Sequence, residues 1–487
     1  MKNINLSDTI AAISTPIGEA GIGIVRLSGQ KALKIADMVF SAKDGRKPSE
    51  FKTYTTHYGF IHSPRPWRGS VSTHNRPRLK SCGNRRLIAK GQKIIDEVIL
   101  TVMRAPKSYT KEDIVEINCH GGIVAQRAVL DLALENGARL AEPGEFTKRA
   151  FLNGRIDLTQ AEAVLDIIRA KTDSALRIGA EQLRGGLSAK INTLRKELLE
   201  ILAVLEAKID FPDEETGEID LKEVKEKLCS IDNRLKVILK TAGQGRVLRE
   251  GIQAVICGKP NVGKSSLLNA LLKQERSIVT PVAGTTRDTI EEIIDIKGIP
   301  IRIVDTAGII EPRDLIEKEA VLRSKRCMES ADLVILLFDA SQRLTKEDEM
   351  LIRRLKHKTA LAVINKIDLK SNIEKVKIIE RFKCVVDISA KKGKNIAGLE
   401  EAIANLVYDG RVLNSEPILV SNLRHIEAMR SSQKLVAESL SSLDNELSIE
   451  FIAQGLKDAV SHLDNILGKN LSQDLLSRIF SKFCIGK

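Results

Sequence analysis

The segment Gly258-Lys259-Pro260-Asn261-Val262-Gly263-Lys264-Ser265 could bind phosphate groups, because it fits the pattern G-x-x-x-x-G-K-S. It follows a predicted strand, Ile252–Cys257, and precedes a predicted helix, Ser266–Leu272. Glycines let backbone N–H groups approach phosphate oxygens, and the N-terminus of a helix adds positive potential. We expect Lys264 to neutralise the β- and γ-phosphates of a nucleotide and Ser265 to bind Mg²⁺ through its hydroxyl. One such loop can occur by chance, so its meaning depends on the motifs that follow.

Three later segments would complete a site for a guanine nucleotide. Asp305-Thr306-Ala307-Gly308 ends a predicted strand, so its aspartate could hold Mg²⁺ through water while its glycine N–H meets the γ-phosphate. Asn365-Lys366-Ile367-Asp368 ends another strand, and its aspartate could accept two hydrogen bonds that guanine donates and adenine cannot. In Ser389-Ala390-Lys391, a backbone N–H could meet the guanine carbonyl.

A fourth segment, Gly284-Thr285-Thr286-Arg287-Asp288, lies between the phosphate loop and Asp305, and Thr286 is the natural second ligand for Mg²⁺. Each segment alone reads as an ordinary turn. Five of them in the required order at strand ends predict that the chain binds and hydrolyses GTP. The residues predicted to contact the nucleotide are Asn261, Val262, Gly263, Lys264, Ser265, Ser266, Thr280, Pro281, Val282, Ala283, Gly284, Thr285, Thr286, Asp305, Thr306, Ala307, Gly308, Asn365, Lys366, Ile367, Asp368, Ser389, Ala390 and Lys391.

The residue that follows Gly308 is Ile309, where many GTPases have a glutamine that orients the attacking water. Isoleucine cannot orient water, so either hydrolysis is slow or another group activates the water. Acidic residues nearby are candidates, although they could equally well only solvate a loop. These residues are Glu311, Asp314, Glu317 and Glu319.

The composition predicts a cytosolic globular protein. The 487 residues are 43% hydrophobic and 29% charged, and neither a signal peptide nor an apolar run long enough to cross a bilayer is evident. The seven cysteines are scattered and form no C-x-x-C pair, which argues against a disulfide framework or structural zinc. The net charge is +13, but nine basic residues between Arg65 and Lys93 account for most of it, since +4 remains without them. We interpret this insertion, about residues 63–92, as a mobile solvated loop, with an RNA-binding arm as the alternative.

The order of predicted elements divides the chain into four regions and predicts a multidomain α+β and α/β protein. Residues 1–153 mix strands and helices, 154–249 are helical, 250–409 alternate strands and helices, and 410–487 are helical again. The strands predicted in the third region suit a parallel sheet covered on both faces. They are Ile252–Cys257, Ile301–Val304, Leu333–Phe338, Ala360–Ile364 and Cys384–Ile388. Because each helical half needs a partner for its apolar face, we expect one helical domain interrupted by an inserted α/β domain, rather than two separate helical domains.

The sequence resembles the MnmE (TrmE) family of tRNA-modification GTPases over nearly its whole length. The resemblance is carried by segments outside the nucleotide motifs: Asp8–Ala12, Gly21–Gly29, Ser108–Asp113, His120–Gly122, Pro143–Thr147, Arg149–Arg155, Phe211–Glu215 and the terminal Phe483-Cys484-Ile485-Gly486-Lys487. The chain departs from the family pattern in three places. These are the basic insertion, Lys111 where glycine is usual, and Glu317-Lys318-Glu319-Ala320 in place of a usual E-K-I-G.

The resemblance implies an N-terminal domain, residues 1–153, that dimerises and binds 5-formyl-tetrahydrofolate. Matching to the family's folate site gives Arg26, Glu116 and Arg155, with Lys487 at the tail. Arginines can pair with the carboxylates of a folate, and a glutamate can accept hydrogen bonds from the pterin. Each of these residues could also belong to an ordinary ion pair. Cys484 is either a participant in the chemistry or a plain thiol near the pterin.

The resemblance also implies a Ras-like P-loop GTPase domain activated by K⁺, working with a second copy across the nucleotides. Asn261 and oxygens of Thr280, Val282 and Thr285 would bind the ion, and Glu317 would help position water. Lys264, Thr286 and Glu317 are therefore the residues expected to act in catalysis. The flavoprotein MnmG would supply FAD, and the 5-position of the wobble uridine of certain tRNAs would gain an aminomethyl or carboxymethylaminomethyl group. Two alternatives remain: a GTPase assembly factor for the ribosome, and a folate-dependent transferase that GTP only regulates.

Overall fold

The computed structural model describes residues 7–63, 93–210, 220–274, 291–305, 329–355, 358–408 and 420–487. Its strands are β1 (Ile10–Ile13), β2 (Gly23–Ser28), β3 (Phe40–Ala42), β4 (Thr55–His62), β5 (Ile94–Met103), β6 (Ile114–Cys119), β7 (Arg139–Leu140), β8 (Ile252–Cys257), β9 (Glu291–Ile296), β10 (Ile299–Asp305), β11 (Leu333–Asp339), β12 (Ala360–Asn365) and β13 (Val385–Asp387). Its α-helices are α1 (Ala32–Val39), α2 (Ile123–Glu135), α3 (Glu145–Leu152), α4 (Leu158–Arg169), α5 (Asp173–Leu183), α6 (Gly186–Asp210), α7 (Leu221–Lys240), α8 (Ala242–Glu250), α9 (Lys264–Gln274), α10 (Lys346–Arg354), α11 (Lys375–Ile379), α12 (Ile396–Val407), α13 (Leu423–Asp444), α14 (Ile449–Leu467) and α15 (Gln473–Phe480). The chain divides into two compact units, Met1–Glu162 with Gly468–Lys487, and Ala163–Leu467. Among the helices that the structure describes, none combines the length and the apolar character needed to cross a bilayer.

The first unit contains a seven-stranded sheet in the order β3-β4-β5-β6-β2-β1-β7. Neighbouring strands are antiparallel, except for β1 and β7, which are parallel. Alternate residues such as Val25 and Leu27 of β2 are buried in a core with α1 and α2. This alternation is typical of a strand that has one face against a helical layer. The apolar patterns of the sequence predict two strands, Ile94–Met103 and Ile114–Cys119, and a helix, Ile123–Glu135, and β5, β6 and α2 have these bounds.

The opposite face of β1 packs against α3 and lies near the C-terminal residues. Phe146 of α3 is fully buried in a small core with residues of β1. The backbone N–H of Gly144, which precedes α3, donates a hydrogen bond to the carbonyl oxygen of Cys484 at 3.2 Å. Residues 410–487 were predicted to form the second half of the helical domain. In the structure, the segment Gly468–Lys487 groups with the first unit instead.

The helices on either side of the inserted α/β region share one core. α6 and α7 precede this region and α13 and α14 follow it, and their apolar residues form one buried cluster that includes Leu198, Leu235, Met429 and Leu463. Each helix buries an apolar stripe that would otherwise face water. The predicted single helical domain with an inserted α/β domain is therefore confirmed, and the alternative of two separate helical domains is wrong.

The inserted domain contains a six-stranded sheet in the order β13-β12-β11-β8-β10-β9. All neighbours are parallel except β9 and β10, because β9 is an antiparallel edge strand that the sequence analysis did not predict. Ala254 and Ile256 of β8 point into one core, whereas Val255 and Cys257 point into another, so both faces of the sheet are covered. Since the carboxyl ends of parallel strands lie at one edge of a sheet, the segments after β8, β11, β12 and β13 come together there.

Two departures from the family pattern fall in the first unit. The basic insertion lies outside the described residues, apart from the buried Ser63 at its start. Lys111 has φ +59°, in the left-handed region, which costs a residue with a side chain about 1 kcal/mol. Its ammonium donates a hydrogen bond to the carbonyl oxygen of Gly154 at 3.0 Å. A glycine is usual at this position because glycine adopts this conformation without strain.

Candidate nucleotide site

The predicted phosphate loop connects β8 to α9, and α9 begins at Lys264. Gly258, Asn261 and Gly263 have φ angles of +147°, +64° and +103°. A side chain at Gly258 would place its Cβ only 2.7 Å from the carbonyl oxygen of Leu337, so this glycine is required by a close approach to β11. The loop therefore wraps around the N-terminus of α9, where unpaired N–H groups and the helix dipole favour an anion.

Lys264 is buried, and its ammonium donates hydrogen bonds to the carbonyl oxygens of Gly258 and Lys259 at 3.0 and 2.9 Å. The next residues, Ser265 and Ser266, are exposed on the first turn of α9. The loop thus presents one buried cation and two hydroxyl groups at a helix N-terminus. Such a set of groups can neutralise phosphate oxygens and contribute one hydroxyl oxygen to Mg²⁺.

Asn365 at the end of β12 connects the phosphate loop to the predicted base-binding turn. Its side-chain amide donates to the carbonyl oxygen of Val262 at 2.8 Å, and its Oδ1 accepts from the backbone N–H of Ala390 at 3.0 Å. Asn365 is 2% exposed, so both hydrogen bonds are shielded from water. The two halves of the predicted site are consequently held in one fixed arrangement.

Lys366 makes a second connection to the phosphate loop. Its ammonium donates to the backbone oxygen of Asn261 at 2.7 Å and pairs with Oδ2 of Asp339 at 2.6 Å. Burial acts to raise the pKa of Asp339, but the hydrogen bonds from Lys366 and Ser341 outweigh it, so the pKa is lowered and the carboxylate stays ionised. Asp339 was not among the predicted site residues, although it ends a buried strand in the same way as the polar residues of the predicted motifs.

Asp368 and Ser389 form the predicted base-binding edge. The hydroxyl of Ser389 donates to Oδ1 of Asp368 at 2.7 Å, and this hydrogen bond lowers the pKa of Asp368. Ser389 is fully buried and forms an antiparallel bridge with Lys394. An ionised carboxylate accepts hydrogen bonds only, which suits two neighbouring N–H donors such as those of guanine.

The structure describes part of the remaining nucleotide motifs. Asp305 ends β10 opposite Ile256 of β8, so the backbone of Asp305 runs beside the start of the phosphate loop. The other predicted residues lie outside the described part of the chain. They are Thr280, Pro281, Val282, Ala283, Gly284, Thr285, Thr286, Thr306, Ala307, Gly308 and Glu317, together with Ile309 and the acidic alternatives Glu311, Asp314 and Glu319.

The predicted folate residues Arg26 and Glu116 face each other across β2 and β6 in the first unit. The guanidinium of Arg26 lies 2.7 Å from Oε1 of Glu116 and donates to the carbonyl oxygen of Gly486 at 3.2 Å. It also lies over the ring of Phe146, 5.6 Å from its centroid. The two charged side chains are about four-fifths buried. The pair thus forms a polar surface beside an aromatic ring that is largely shielded from solvent.

The C-terminal tail also contacts the pair of Arg26 and Glu116. The carbonyl oxygen of Gly486 also accepts from the hydroxyl of Ser14 at 3.1 Å. Gly486 has φ +90°, and a Cβ there would lie 2.9 Å from Cα of Ser14. Glycine is therefore needed for the tail to lie against β1. Lys487 is half-buried at the end of this tail, and Cys484 is an exposed thiol.

Arg155 lies with its guanidinium over the ring of Tyr109, 4.8 Å from the centroid. The hydroxyl of Tyr109 hydrogen-bonds to that of Thr147 at 3.0 Å, and burial raises the pKa of this tyrosine. Tyr109 and Phe146 pack in the same small core, which also borders Arg26. These two aromatic residues were not among the predicted site residues. The signal that could have found them is their place inside the family segments Ser108–Asp113 and Pro143–Thr147.

Two family models and several curated proteins match the sequence. The model described as "GTP-binding protein TrmE N-terminus" matches residues 9–155, and the model "MnmE helical domain" matches residues 158–484. The protein named tRNA modification GTPase MnmE from Clostridioides difficile (strain 630) is 44% identical over 484 residues, which covers 99% of this chain and 100% of that protein. Proteins of the same name from Alkaliphilus metalliredigens (strain QYMF) and Bacillus subtilis (strain 168) are 45% and 42% identical, with the same coverage.

Proposed function

The chain belongs to the MnmE family of tRNA modification GTPases, and on that premise we propose that it hydrolyses GTP to drive modification of the wobble uridine of certain tRNAs. Together with the flavoprotein MnmG, it would add an aminomethyl or carboxymethylaminomethyl group at the 5-position of the base. The observation that carries GTP binding is the double hydrogen bonding of Asn365, which fixes the phosphate loop against the base-binding turn. A site prearranged in this way binds a nucleotide without first having to order its two halves.

The phosphate loop fits GTP with Mg²⁺. Lys264 would exchange its two carbonyl acceptors for β- and γ-phosphate oxygens, while the guanine would bind at Asp368. The exposed hydroxyl of Ser265 suits a hard cation that prefers oxygen ligands, and Thr286 would be the second protein ligand. Mg²⁺ would supply charge neutralisation at the phosphates.

The assignment of K⁺ rests on Asn261. Lys366 holds the backbone oxygen of Asn261, which leaves its exposed side-chain amide oxygen as the group that would reach a cation. Backbone oxygens of Thr280, Val282 and Thr285 would complete the site. Glu317 would position the attacking water that Ile309 cannot orient. A second GTPase domain would face the first across the nucleotides.

We expect GTP turnover in KCl to exceed turnover in NaCl at equal ionic strength by at least about tenfold, because a cation near the leaving phosphate stabilises developing charge. Steady-state phosphate release from the full chain measures this ratio. Asn261→Ala should remove the difference between the salts, whereas Arg353→Met, on the exposed surface of α10, should keep it. Equal rates of the unaltered chain in the two salts would refute the K⁺ assignment.

The folate proposal rests on Arg26 and Glu116. Glu116 can accept hydrogen bonds from pterin N–H groups, and its ion pair with Arg26 would hold its carboxylate in place. An arginine outside this pair can form bidentate pairs with the carboxylates of 5-formyl-tetrahydrofolate. Arg155 and the tail residue Lys487 would bind the remaining charges of the folate, which supplies the one-carbon unit. Cys484 is exposed on the same tail. The N-terminal domains would form a homodimer, FAD would belong to MnmG, and the complex would be cytoplasmic.

Mass spectrometry of tRNA nucleosides tests the proposed function most directly. A deletion strain should lack the 5-aminomethyl-type group on its wobble uridines, and expression of the full chain should restore it. Unchanged wobble uridines accompanied by a defect in ribosomal subunits would instead support the assembly-factor alternative. Normal modification by a variant that cannot bind GTP would support a transferase that GTP only regulates.

A further inference from the structure

Lys259, the second residue of the phosphate loop, forms an ion pair that the nucleotide motifs do not explain. Its ammonium is 2.7 Å from Oδ2 of Asp348 and donates to the hydroxyl of Thr345 at 3.2 Å. The side chains of Lys259 and Asp348 are 12% and 3% exposed, so both charges are largely removed from water. The pair connects the loop after β8 to the first turn of α10, the helix that follows β11.

Asp348 is the fixed end of this ion pair. Its Oδ2 also accepts hydrogen bonds from the backbone N–H and the hydroxyl of Thr345, both at 2.9 Å, which caps the N-terminus of α10. A buried carboxylate is costly unless a cation pairs with it. Within the part of the chain that the structure describes, Lys259 is the cation that pairs with Asp348. Because the cap fixes the carboxylate of Asp348, it also fixes the position of the Lys259 ammonium that pairs with it.

The backbone of Lys259 also contacts the lysine that is expected to bind phosphate. Its carbonyl oxygen accepts from the ammonium of Lys264 at 2.9 Å. The later residues Asn261 and Val262 are held by Lys366 and Asn365. The contacts from Lys366 and Asn365 fix only the second half of the loop. The ion pair between Lys259 and Asp348 anchors the first half.

We propose that Lys259 is a positioning residue for GTP: its ion pair with Asp348 holds the first half of the phosphate loop in the shape that receives the phosphates. This inference rests on the proposed GTP binding. It differs from a direct role, in which Lys259 would leave Asp348 and place its charge on the nucleotide. In the positioning role, loss of either partner has the same consequence, because each loss removes the same anchor.

A double-mutant cycle on the full chain separates the two roles. Lys259→Met, Asp348→Asn and the double variant are compared in Kd for GTP and for GDP and in steady-state kcat and KM. We expect each single substitution to raise Kd and KM about tenfold with kcat within about twofold, because the lost anchor weakens binding before the reaction. The double variant should be no worse than either single one. Lys259→Arg should restore most of the affinity.

The matched control is Arg353→Met, which removes an exposed ion pair with Glu349 on the same helix and should leave Kd unchanged. Thermal unfolding without nucleotide shows whether the Asp348→Asn variant still folds. If it does not fold, the difference in GTP affinity between Lys259→Met and Lys259→Arg tests the proposal with Asp348 intact. Wild-type affinity in Lys259→Met overturns the proposal. Wild-type affinity in Asp348→Asn together with weak binding in Lys259→Met also overturns it, in favour of direct contact. A wild-type chain that binds no GTP would refute the proposed function instead.

Discussion

Replacing Asp368 by asparagine is expected to lower the affinity for GTP about a thousandfold and to transfer the preference to xanthosine triphosphate. The hydrogen bond from Ser389 lowers the pKa of Asp368, so its carboxylate is ionised and can accept from both N–H groups at the guanine edge. An asparagine amide would direct its own N–H at the guanine amino group. Xanthine has a carbonyl at that position, which accepts this N–H, and mispaired polar groups in such pockets cost several orders of magnitude.

The measurement is competition of GTP and xanthosine triphosphate for a fluorescent nucleotide bound to the full chain. Lys392→Met is the matched control, because the ammonium of Lys392 lies 3.9 Å from Asp368 on a side chain that is 65% exposed, and a contact of that kind contributes little. Unchanged GTP affinity in the Asp368→Asn variant would show that guanine does not bind at this edge. Equal loss of both nucleotides would point to a damaged fold instead.

The elements that carry the proposed nucleotide site were predictable because their signals are local. The strand β8 has the predicted bounds, since its run of apolar residues is buried in the middle of a sheet. The helix α9 begins at Lys264 rather than at the predicted Ser266, so the loop and the first turn of the helix share residues. β10 and β12 each extend one residue beyond the predicted apolar run, to Asp305 and Asn365. Both of these polar residues pair in register with a neighbouring strand.

The contacts that connect the motifs were not predictable, because they join residues far apart in sequence. Lys259 pairs with Asp348, and Lys366 with Asp339, and no periodicity links the members of either pair. The same holds for the C-terminal tail. Its position against β1 depends on a glycine with positive φ at residue 486 and on two hydrogen bonds to one carbonyl oxygen. Only the resemblance to a family suggested that the tail and the N-terminal residues act together.

Replacing Arg26 by methionine is expected to weaken binding of 5-formyl-tetrahydrofolate about a hundredfold while GTP hydrolysis stays within about twofold of wild type. The guanidinium pairs with Glu116, donates to the carbonyl oxygen of Gly486 and lies over Phe146. The substitution would therefore release the carboxylate of Glu116, which is proposed to accept hydrogen bonds from the pterin. Each hydrogen bond to a charged group contributes about 1.5–3 kcal/mol, and loss of one or two such bonds gives the stated factor. Calorimetry with the folate and phosphate release with GTP measure the two activities.

Folate binding can be lost while GTP hydrolysis is kept, because Arg26 belongs to one compact unit and the proposed nucleotide residues belong to the other. Arg127→Met is the matched control, since Arg127 pairs with Asp131 on the exposed surface of α2 and should leave both activities unchanged. Wild-type folate affinity in the Arg26→Met variant would remove this residue from the folate site. Simultaneous loss of folate binding and of GTP hydrolysis, with a lowered unfolding temperature, would mean that Arg26 supports the fold rather than the ligand. Loss of folate binding alone would assign the one-carbon donor to the unit that carries the C-terminal tail.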